Sequence, residues 1–344
     1  MRKLEHGGDI YSRDVTYDFS ANINPLGMPQ GVKNALINHI DNFERYPDIN
    51  CTALVNAISE YENVAAEKVL CGNGAADLIY HIVHTLKPRK ALLPAPTFSE
   101  YENALVSIGC KVEYHMLNES DNFILNNDIL DKLCDIDIVF LCSPNNPTGT
   151  IINKEVLTRV IKRCQEKNIY IVLDECFMDF VSSNENYSIK PTQENVIILK
   201  AFTKTFAMAG LRLGYMLCAD ISLVERIQGC GQCWSVSVPA QIAGTAALKE
   251  KLYIDKSVQL ISNERYYLMN ALKSFGFKVY LADANFILFR CGIDLDQMLM
   301  KEQIAVRNCE NYIGLEYGYF RIAVRTHMEN EVLIKAIERI LNNG

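Results

Sequence analysis

Residues 195–215, NVIILKAFTKTFAMAGLRLGY, lead an apolar strand into a lysine that lies in a loop of small residues. The aliphatic run at 196–199 predicts a strand buried on both faces. Thr203 and Lys204 follow where the chain leaves the sheet, which is where ligands bind in open α/β sheets. With Arg212, they supply an amine that can condense with an aldehyde and two groups suited to a phosphate. A lone lysine is more often a surface residue, but this combination indicates pyridoxal phosphate.

Length, composition and charge narrow the class of protein. The chain has 344 residues, 49% of them hydrophobic, and a formal net charge of -7. This length suffices for a large α/β domain and a smaller one. An isoelectric point of about 5.5 and the lack of a basic run argue against nucleic acid as a partner. We expect a cytoplasmic protein without a membrane partner, because no apolar run approaches the ~20 residues of a span and the first residues lack a signal-peptide core.

Twelve cysteines are scattered along the chain. Several lie in predicted strands or helices, where small core residues are common: Cys71, Cys142, Cys164, Cys218 and Cys291. We therefore expect reduced thiols in the interior and not a disulfide scaffold. Cys230 and Cys233 form a single C-x-x-C motif without a second pair, for which incidental packing is commoner than a redox or metal role. No metal site is predicted.

Strands that alternate with helices predict a largely parallel sheet in the first two thirds of the chain. Residues 137–142 and 169–173 are apolar strands that end in polar residues, SPNNPTG at 143–149 and Asp174 respectively. Together with the strand before Lys204, they deliver polar side chains to one edge of the sheet. One site is thus built from distant parts of the sequence.

Past Trp234 the pattern changes to that of a smaller α+β domain. Residues 239–275 are mainly helical, three short strands follow, and an amphipathic helix comes last. We predict an N-terminal arm over residues 1–30 that packs on the site and the small domain, a large cofactor-binding domain over 31–245, and a small C-terminal domain over 246–344. The junction is expected within a helix.

The ring of pyridoxal phosphate makes specific demands on a protein. Its pyridine nitrogen must stay protonated for the ring to accept electrons, which requires a carboxylate within hydrogen-bonding distance. Asp174 is the candidate, although an aspartate at the end of a buried strand is often a cap. Asn146 can donate to the phenolate oxygen, and Phe98 can stack on the ring.

The cofactor's phosphate needs several donors because it carries two charges. Residues 69–77, VLCGNGAAD, run from a strand into a helix whose first N–H groups favour an anion, and the glycines allow close approach of the backbone. Gly74 and Ala75 are therefore predicted to bind the phosphate together with Thr203 and Arg212.

Two further segments carry groups that can meet a ligand. In the N-terminal arm these are His6 and Asn22, although a purely structural arm is an equally good interpretation. Arg307 and Arg321 lie at strand ends and can bind two anions, because the arginine fork suits both carboxylate and phosphate. The plain alternative for Arg307 is a solvated end of an edge strand.

Three motifs in this order carry a family resemblance: SPNNPTG at 143–149, the strand that ends at Asp174, and TK-x7-R at 203–212. They resemble the fold type I aminotransferase superfamily, and the resemblance covers nearly the whole chain. It implies an α/β fold whose large domain has a mainly parallel seven-stranded sheet, a small α+β C-terminal domain, and pyridoxal 5'-phosphate bound at Lys204.

More specific motifs lie at both ends of the chain: HGG at 6–8, DFSANINPLG at 18–27, RYPD at 45–48, and VRNCENYIGL at 306–315 followed by YFRIAVR. They resemble the threonine-phosphate decarboxylase family of cobalamin biosynthesis, whose nearest relative is histidinol-phosphate aminotransferase. The resemblance implies decarboxylation of L-threonine O-3-phosphate to (R)-1-amino-2-propanol O-2-phosphate. Three alternatives stay open, namely a transaminase of histidinol phosphate, a decarboxylase of phosphoserine, and a non-catalytic cofactor-binding or regulatory module.

The resemblance also implies roles for residues that would hold the substrate. Arg321 resembles the arginine that holds the substrate carboxylate. Arg307 resembles the one that grips the substrate phosphate with His6, Gly7 and Asn22. Two anions of one small phosphorylated amino acid would thus be held apart by two arginines.

Three other positions bear on the cofactor and the assembly. Asn146 is assigned to the substrate as well as the cofactor. Tyr46 resembles the tyrosine that reaches across a dimer interface to the partner's cofactor phosphate, so the resemblance implies a homodimer. Phe177 departs from the pattern of many aminotransferases, which have a tyrosine three residues after the aspartate. Its missing hydroxyl disfavours the transaminase alternative.

Overall fold

The computed structural model describes residues 6–182 and 187–342. Its strands are β1 (Tyr17–Asp18), β2 (Val69–Gly72), β3 (Lys90–Ala95), β4 (Lys111–Met116), β5 (Ile138–Cys142), β6 (Tyr170–Asp174), β7 (Val196–Ala201), β8 (Gly214–Cys218), β9 (Lys278–Val279), β10 (Phe286–Arg290), β11 (Ile304–Ala305), β12 (Arg307–Asn308) and β13 (Tyr319–Ala323). Its helices are α1 (Gln30–Asn38), α2 (Thr52–Glu62), α3 (Ala75–Leu86), α4 (Ser99–Ser107), α5 (Lys154–Lys167), α6 (Phe202–Thr205), α7 (Ile221–Cys230), α8 (Val238–Ala247), α9 (Lys251–Ser274), α10 (Leu295–Met300) and α11 (His327–Asn342).

A seven-stranded sheet forms the centre of the larger part of the molecule. Its strand order is β2-β8-β7-β6-β5-β3-β4. Strand β8 runs antiparallel to both of its neighbours, and the other adjacent strands pair in parallel. Every residue of β5 is buried, as is usual for a strand covered on both faces. The predicted α/β fold with a mainly parallel seven-stranded sheet is confirmed.

Helices cover both faces of this sheet. The buried residues of α3 on one face and α5 on the other repeat with helical spacing: Leu78, Ile79, Ile82 and Val83, and Val156, Leu157, Val160 and Cys164. The apolar side chains of α3 pack with those of α4 and α7, while those of α5 share a cluster with α2 and α8. None of the helices in the described part of the chain is both long and apolar enough to cross a membrane.

The carboxyl ends of β5, β6 and β7 meet at one edge of the sheet. In the register of these strands, Cys142 pairs with Asp174, and Asp174 pairs with Leu199. Strand β7 passes directly into the one-turn helix α6, which carries Thr203 and Lys204. The predicted meeting of polar residues from distant segments therefore follows from the pairing of three parallel strands.

The C-terminal part contains a four-stranded antiparallel sheet in the order β12-β13-β10-β9. Helices α9 and α11 pack on it and share its hydrophobic core. The stretch predicted as mainly helical at 239–275 is two helices, because the chain leaves helical geometry between Ala247 and Lys251. In the N-terminal segment, β1 pairs in parallel with β11. The predicted domain bounds stay a prediction.

Several elements were absent from the sequence-based expectations, among them α2, α4, α7 and β8. Strand β8 lies between β2 and β7 as the only antiparallel member of the large sheet, within the residues described, and α7 follows it.

The cysteines that were expected to pack among apolar residues in the core do so, since Cys71, Cys164 and Cys218 are buried. Cys230 and Cys233 are exposed at and just beyond the end of α7.

Candidate active site

A cavity of about 570 Å³ opens at the carboxyl edge of the large sheet. Its volume is within the usual range for a small-molecule site. Most of the predicted site residues line it: His6, Gly7, Asn22, Ala75, Phe98, Asn146, Asp174, Thr203, Lys204, Arg212 and Arg321. Gly74, Tyr46 and Arg307 are not among its lining residues. Within the described parts of the chain, no cluster of His, Cys, Asp and Glu could hold a metal ion.

Lys204 projects from α6 into this cavity. Its carbonyl oxygen accepts a hydrogen bond from the backbone N–H of Asn24 at 3.2 Å, which ties the lysine loop to the N-terminal segment. Burial, with the positive charges of Arg321 and Arg212, lowers the pKa of the Lys204 amine to about 8. A larger fraction of this amine is therefore neutral near physiological pH, which is the form that attacks an aldehyde.

Asp174 ends β6 with its carboxylate buried at the cavity wall. Its Oδ1 accepts the backbone N–H of Cys176 at 2.9 Å. Its Oδ2 accepts the hydroxyl of Tyr101 at 2.6 Å. Both oxygens are thus fixed by donors, which suits a carboxylate that must present one orientation to a ring nitrogen.

The start of α3 forms a cradle for an anion. Gly74 has a φ of +87°, and a Cβ added to it would lie 2.7 Å from Nη2 of Arg212. Only glycine therefore allows the guanidinium to lie against the backbone at the first turn of this helix. Ala75 and Thr203 line the cavity at the same end. Backbone N–H groups, a hydroxyl and a guanidinium in one place are suited to a phosphate.

Arg321, in β13 of the C-terminal sheet, also lines the cavity. Its Nη1 donates to Oδ1 of Asn146, and its Nη2 donates to the carbonyl oxygen of Ser20 at 2.7 Å. Its Nε and the Oδ1 of Asn22 are buried without a hydrogen-bond partner among the described residues. Because Oδ1 of Asn146 already accepts from Arg321, its amide NH₂ group is the part that can bind a ligand, as a donor. Such unsatisfied groups are expected where a ligand completes the site.

His6 and Glu100 both line the cavity and are in direct contact with each other, which the sequence analysis missed. The distance from His6 Nε2 to Glu100 Oε1 is 2.9 Å, and Glu100 also accepts from Asn103 Nδ2 at 2.8 Å. The contact with His6, and to a smaller extent that with Asn103, holds the pKa of Glu100 below its ordinary value. Glu100 follows Phe98 at the start of α4, and its sequence position alone does not reveal which face of that helix it occupies.

Arg307 lies in a smaller neighbouring cavity and not in the large one. The two cavities share Phe98 and Tyr312. The Arg307 guanidinium is buried, donates to the carbonyl of Asn308 and to Oδ1 of Asn311, and lies 5.4 Å from the centre of the Tyr312 ring. Tyr312 therefore stands between Arg307 and the main cavity, a relationship that no spacing in the sequence indicates.

Two other residues singled out from the sequence occupy distinct surroundings. Tyr46 is exposed and its ring lies 4.9 Å from that of Trp234, on a surface away from the cavity lining. Phe177 is buried at the cavity, where its ring meets that of Phe286 edge to face at 5.0 Å. An apolar core contact thus replaces the hydroxyl that a tyrosine would bring to this position.

The chemistry of the donor set fits pyridoxal phosphate. Lys204 supplies an amine of lowered pKa, Asp174 a buried carboxylate, and Phe98 an aromatic wall. The cradle of Gly74 and Arg212 lies where a phosphate would be held. Each of the cofactor's reactive or charged positions therefore has a matching group in one cavity.

Comparison with known proteins agrees with this geometry. The chain matches the family described as aminotransferase class I and II over residues 15–340. It is 38% identical to the threonine-phosphate decarboxylase of Salmonella typhimurium, covering 98% of this chain and 96% of that protein. It is 34% identical to the adenosylcobalamin biosynthesis bifunctional protein CobDQ of Leptospira interrogans, covering 99% of this chain and 41% of that protein.

A solved structure is also similar. The histidinol-phosphate aminotransferase of Clostridium acetobutylicum is 32% identical, with a TM-score of 0.87 over 95% of this chain and 100% of that one. The relatives thus include one decarboxylase and one aminotransferase that share the same architecture. Choosing between these activities requires the positions of individual side chains.

Proposed function

The chain belongs to the aminotransferase class I and II family, and from that premise we propose that it is a pyridoxal-phosphate enzyme that decarboxylates L-threonine O-3-phosphate. The products are CO₂ and (R)-1-amino-2-propanol O-2-phosphate, a linker in cobalamin biosynthesis. One observation carries the proposal furthest. A cavity that holds Lys204, Asp174 and Arg212 is also lined by His6 and Arg321, which can meet the anionic groups of a substrate. The 38% identity to a threonine-phosphate decarboxylase over nearly the whole chain supports it.

The cofactor would be held by residues already described. Lys204 would bind the aldehyde carbon, Asp174 the ring nitrogen, Asn146 the phenolate oxygen, and the cradle of Gly74 and Arg212 the phosphate. When bound, pyridoxal phosphate supplies an electron sink for the electron pair of a bond broken at the substrate's α-carbon. Lys204, as an ammonium group, would supply the proton that takes the place of the lost carboxylate on the α-carbon.

Orientation of the substrate decides which bond at the α-carbon breaks. Arg321 would hold the carboxylate, since its Nε is buried without a partner among the described residues and it lines the cavity beside Lys204. His6, Gly7 and Asn22 would hold the phosphate of the substrate. Arg307, on the other side of Tyr312, would add a positive charge to this phosphate site. Holding the carboxylate in the position where its bond is aligned with the electron sink favours loss of CO₂, which is an effect of positioning and needs no additional functional group.

A second candidate function is transamination of histidinol phosphate. The 32% identity to a histidinol-phosphate aminotransferase over its whole length favours it. Phe177 argues against it, because this chain lacks the hydroxyl that many aminotransferases have at this position. Phosphoserine is a further candidate substrate for the decarboxylase, since one methyl group in a pocket is worth only ~1–3 kcal/mol.

We extend the proposal to the assembly and the setting. The enzyme would be a cytoplasmic homodimer in which Tyr46 reaches the cofactor phosphate of the partner subunit. The exposed aromatic pair of Tyr46 and Trp234 supports such an interface, because large exposed aromatic rings are typical of contact surfaces. The N-terminal arm, the large domain and the small domain would have the bounds 1–30, 31–245 and 246–344.

The test uses purified protein loaded with pyridoxal phosphate, as judged by its visible absorbance band. Phosphothreonine, phosphoserine and histidinol phosphate with 2-oxoglutarate are supplied separately, and CO₂ and amine products are measured. We expect CO₂ from phosphothreonine and no conversion to the pyridoxamine form. Absence of CO₂ from a fully loaded enzyme overturns the proposal, and a Lys204→Ala variant gives the background.

A further inference from the structure

Tyr101 is a buried polar residue for which the proposed chemistry has no role. It lies in the first turn of α4 and is 0% exposed. Its hydroxyl donates to Oδ2 of Asp174 at 2.6 Å across the cavity wall. A buried phenol that donates its one proton to a functional carboxylate can fix the orientation of that carboxylate.

The two oxygens of Asp174 are held by different means. The backbone N–H of Cys176 holds Oδ1, and this contact exists in any variant that keeps the turn after β6. Oδ2 accepts the Tyr101 hydroxyl at 2.6 Å. Without that hydroxyl, the carboxylate keeps one fixed oxygen and gains freedom to rotate about its last bond.

The Tyr101 phenol remains protonated over the whole working range. Burial first, and then the charge of Asp174, raises the pKa of Tyr101 well above its ordinary value. It is therefore a permanent donor, and Asp174 accepts without competition for its proton. The direction of the hydrogen bond is thus fixed by the surroundings of both groups.

The ring of Tyr101 makes a second connection. It stacks on Phe140 of β5 with a centroid distance of 5.1 Å, and its edge meets Phe98 at 5.5 Å and 82°. Phe98 is a cavity-lining ring. The same side chain therefore braces the aromatic wall of the cavity and the carboxylate at the end of β6.

We propose that Tyr101 is a positioning residue for the cofactor ring, because its hydroxyl fixes the carboxylate of Asp174 and its ring supports Phe98. The inference rests on the cofactor assignment in the proposed function, but not on the identity of the substrate. A Tyr101→Phe change separates these two contributions, because it removes the hydroxyl and retains the aromatic ring. The Tyr101 hydroxyl acts through Asp174 on the pyridine nitrogen of the cofactor. The aromatic ring of Tyr101 acts through Phe98 on the face of the cofactor ring.

The experiment measures binding of pyridoxal phosphate to cofactor-free protein by absorbance and by fluorescence quenching. Tyr101→Phe should bind it about tenfold more weakly than the unchanged protein, in line with the loss on removing a group that orients a ligand-binding side chain. An analogue with carbon in place of the ring nitrogen should bind both proteins equally, because Asp174 then has no proton to meet.

Tyr215→Phe is the matched control. Tyr215 is also buried, and its hydroxyl donates to a carboxylate, Glu62, at 2.6 Å, but it does not line the cavity. This variant should lose thermal stability and retain affinity for pyridoxal phosphate. The contrast separates a role at the ring from the general effect of removing a buried hydroxyl.

Two results overturn the inference. One is unchanged affinity of Tyr101→Phe for pyridoxal phosphate, and the other is an equal loss for pyridoxal phosphate and the nitrogen-free analogue, which reduces Tyr101 to packing. If Tyr101→Phe does not fold, 4-fluorophenylalanine at position 101 replaces it, because it fills the space of the hydroxyl without a proton to donate, and unchanged affinity then has the same meaning. Failure of the unchanged protein to bind pyridoxal phosphate contradicts the proposed function itself, which keeps the two failures apart.

Discussion

Lys200 and Glu62 form a buried ion pair directly behind the loop that carries Lys204. The Lys200 Nζ lies 2.9 Å from Oε1 and 3.2 Å from Oε2 of Glu62, and 3.8 Å from Oε2 of Glu175. Burial opposes the charge of this lysine, but Glu62 and Glu175 outweigh it and raise the pKa of Lys200. The Lys200 ammonium group therefore offsets part of the negative charge of a carboxylate cluster within the core.

The cluster reaches the residue next to Lys204. The Thr205 hydroxyl donates to Oδ2 of Asp179 at 2.9 Å, and the Thr205 carbonyl accepts from Asn24 Nδ2 at 2.8 Å. Burial raises the pKa of Asp179 even though Lys200 counteracts it. The loop that presents the reactive amine is thus held from behind by charged and hydrogen-bonded groups that never enter the cavity.

The first prediction concerns Lys200→Met. Removing the cation leaves Glu62 and Glu175 with the more exposed Lys190, 3.8 Å from Glu62, in place of a buried cation, so the cofactor-free protein should lose about 3–5 kcal/mol of unfolding free energy. Urea denaturation measures this, with Lys278→Met as control. Lys278 also meets a glutamate, Glu119, at 2.8 Å, but its side chain is 58% exposed, so its loss should stay below about 1 kcal/mol. Equal losses for the two variants would contradict the prediction.

The same variant has a predicted pH dependence. Burial raises the pKa of both Glu175 and Asp179, and without Lys200 these folded-state values rise further. A carboxyl group whose pKa is raised by folding contributes stability at low pH and loses it as pH rises through the folded value. The difference between Lys200→Met and the unchanged protein should therefore be smaller at pH 5 than at pH 8. A difference that is constant over this range would refute the assignment.

The second prediction concerns the stability linked to Lys204. Folding lowers the pKa of this amine from 10.5 to about 8, so the unfolded chain holds the proton more tightly and stability rises with pH between these values. At pH 7 the buried charge costs at most about 3 kcal/mol. Lys204→Met should stabilise the cofactor-free protein by up to that amount at pH 7, and by nothing above pH ~10.5.

Denaturant unfolding at several pH values checks this prediction. The exposed Lys256 in α9 offers the control, since Lys256→Met should change stability by no more than about 0.5 kcal/mol at any pH. If Lys204→Met were as stable as the unchanged protein at pH 7, the amine would have an ordinary pKa in the folded state.

Sequence reasoning succeeded where the chemistry depends on strand ends. Asp174 and Lys204 follow apolar runs, and parallel strands deliver their ends to one edge, so their meeting could be inferred without coordinates. Glu100 and Tyr101 could not be found in this way. They lie in α4, and whether a helical residue faces the cavity depends on how that helix packs on the sheet, which is decided by distant residues such as Phe140.

The position of Arg307 shows a second limit. The sequence analysis places it at a strand end and predicts an anion-binding role, but Tyr312, five residues later, lies against its guanidinium. Such a contact depends on the turn between the two residues. The ion pair of Lys200 with Glu62 joins residues 138 positions apart, and no local pattern encodes it.

The third prediction concerns Glu100→Gln. Oε1 of Glu100, 2.9 Å from Nε2 of His6, holds one edge of the imidazole and leaves the other ring nitrogen to meet a phosphate. Glutamine keeps the size of this side chain but removes its charge, so it should hold the imidazole less firmly. KM for phosphothreonine should rise about tenfold with little change in kcat, which corresponds to loss of one hydrogen bond to a charged group.

Steady-state kinetics of Glu100→Gln with phosphothreonine and with threonine separates the two effects. The variant should be impaired only with the phosphorylated substrate, because threonine has no group for His6 to meet. Glu166→Gln, at an exposed position of α5, should match the unchanged enzyme. A fall in kcat with unchanged KM would assign Glu100 to a different role.

The last prediction tests whether Tyr46 acts in the site of its own subunit or in that of the partner. Tyr46 lies outside the lining of the cavity in its own chain and is exposed. In a twofold dimer each subunit would then supply Tyr46 to the other. Tyr46→Ala and Lys204→Ala should each have low activity alone, since one lacks the donated tyrosine and the other lacks the amine.

Co-expression of these two variants should restore activity. In a mixed dimer, the subunit with Tyr46→Ala keeps its own Lys204 and receives Tyr46 from the partner, so one complete site forms. Random pairing of equal amounts gives roughly a quarter of the sites of the unchanged enzyme. Co-expression of Lys204→Ala with Lys204→Met is the control and should restore nothing. If the mixed dimers form but stay inactive, Tyr46 acts within its own subunit or away from the site, because only donation across the interface can rebuild a site from these two chains.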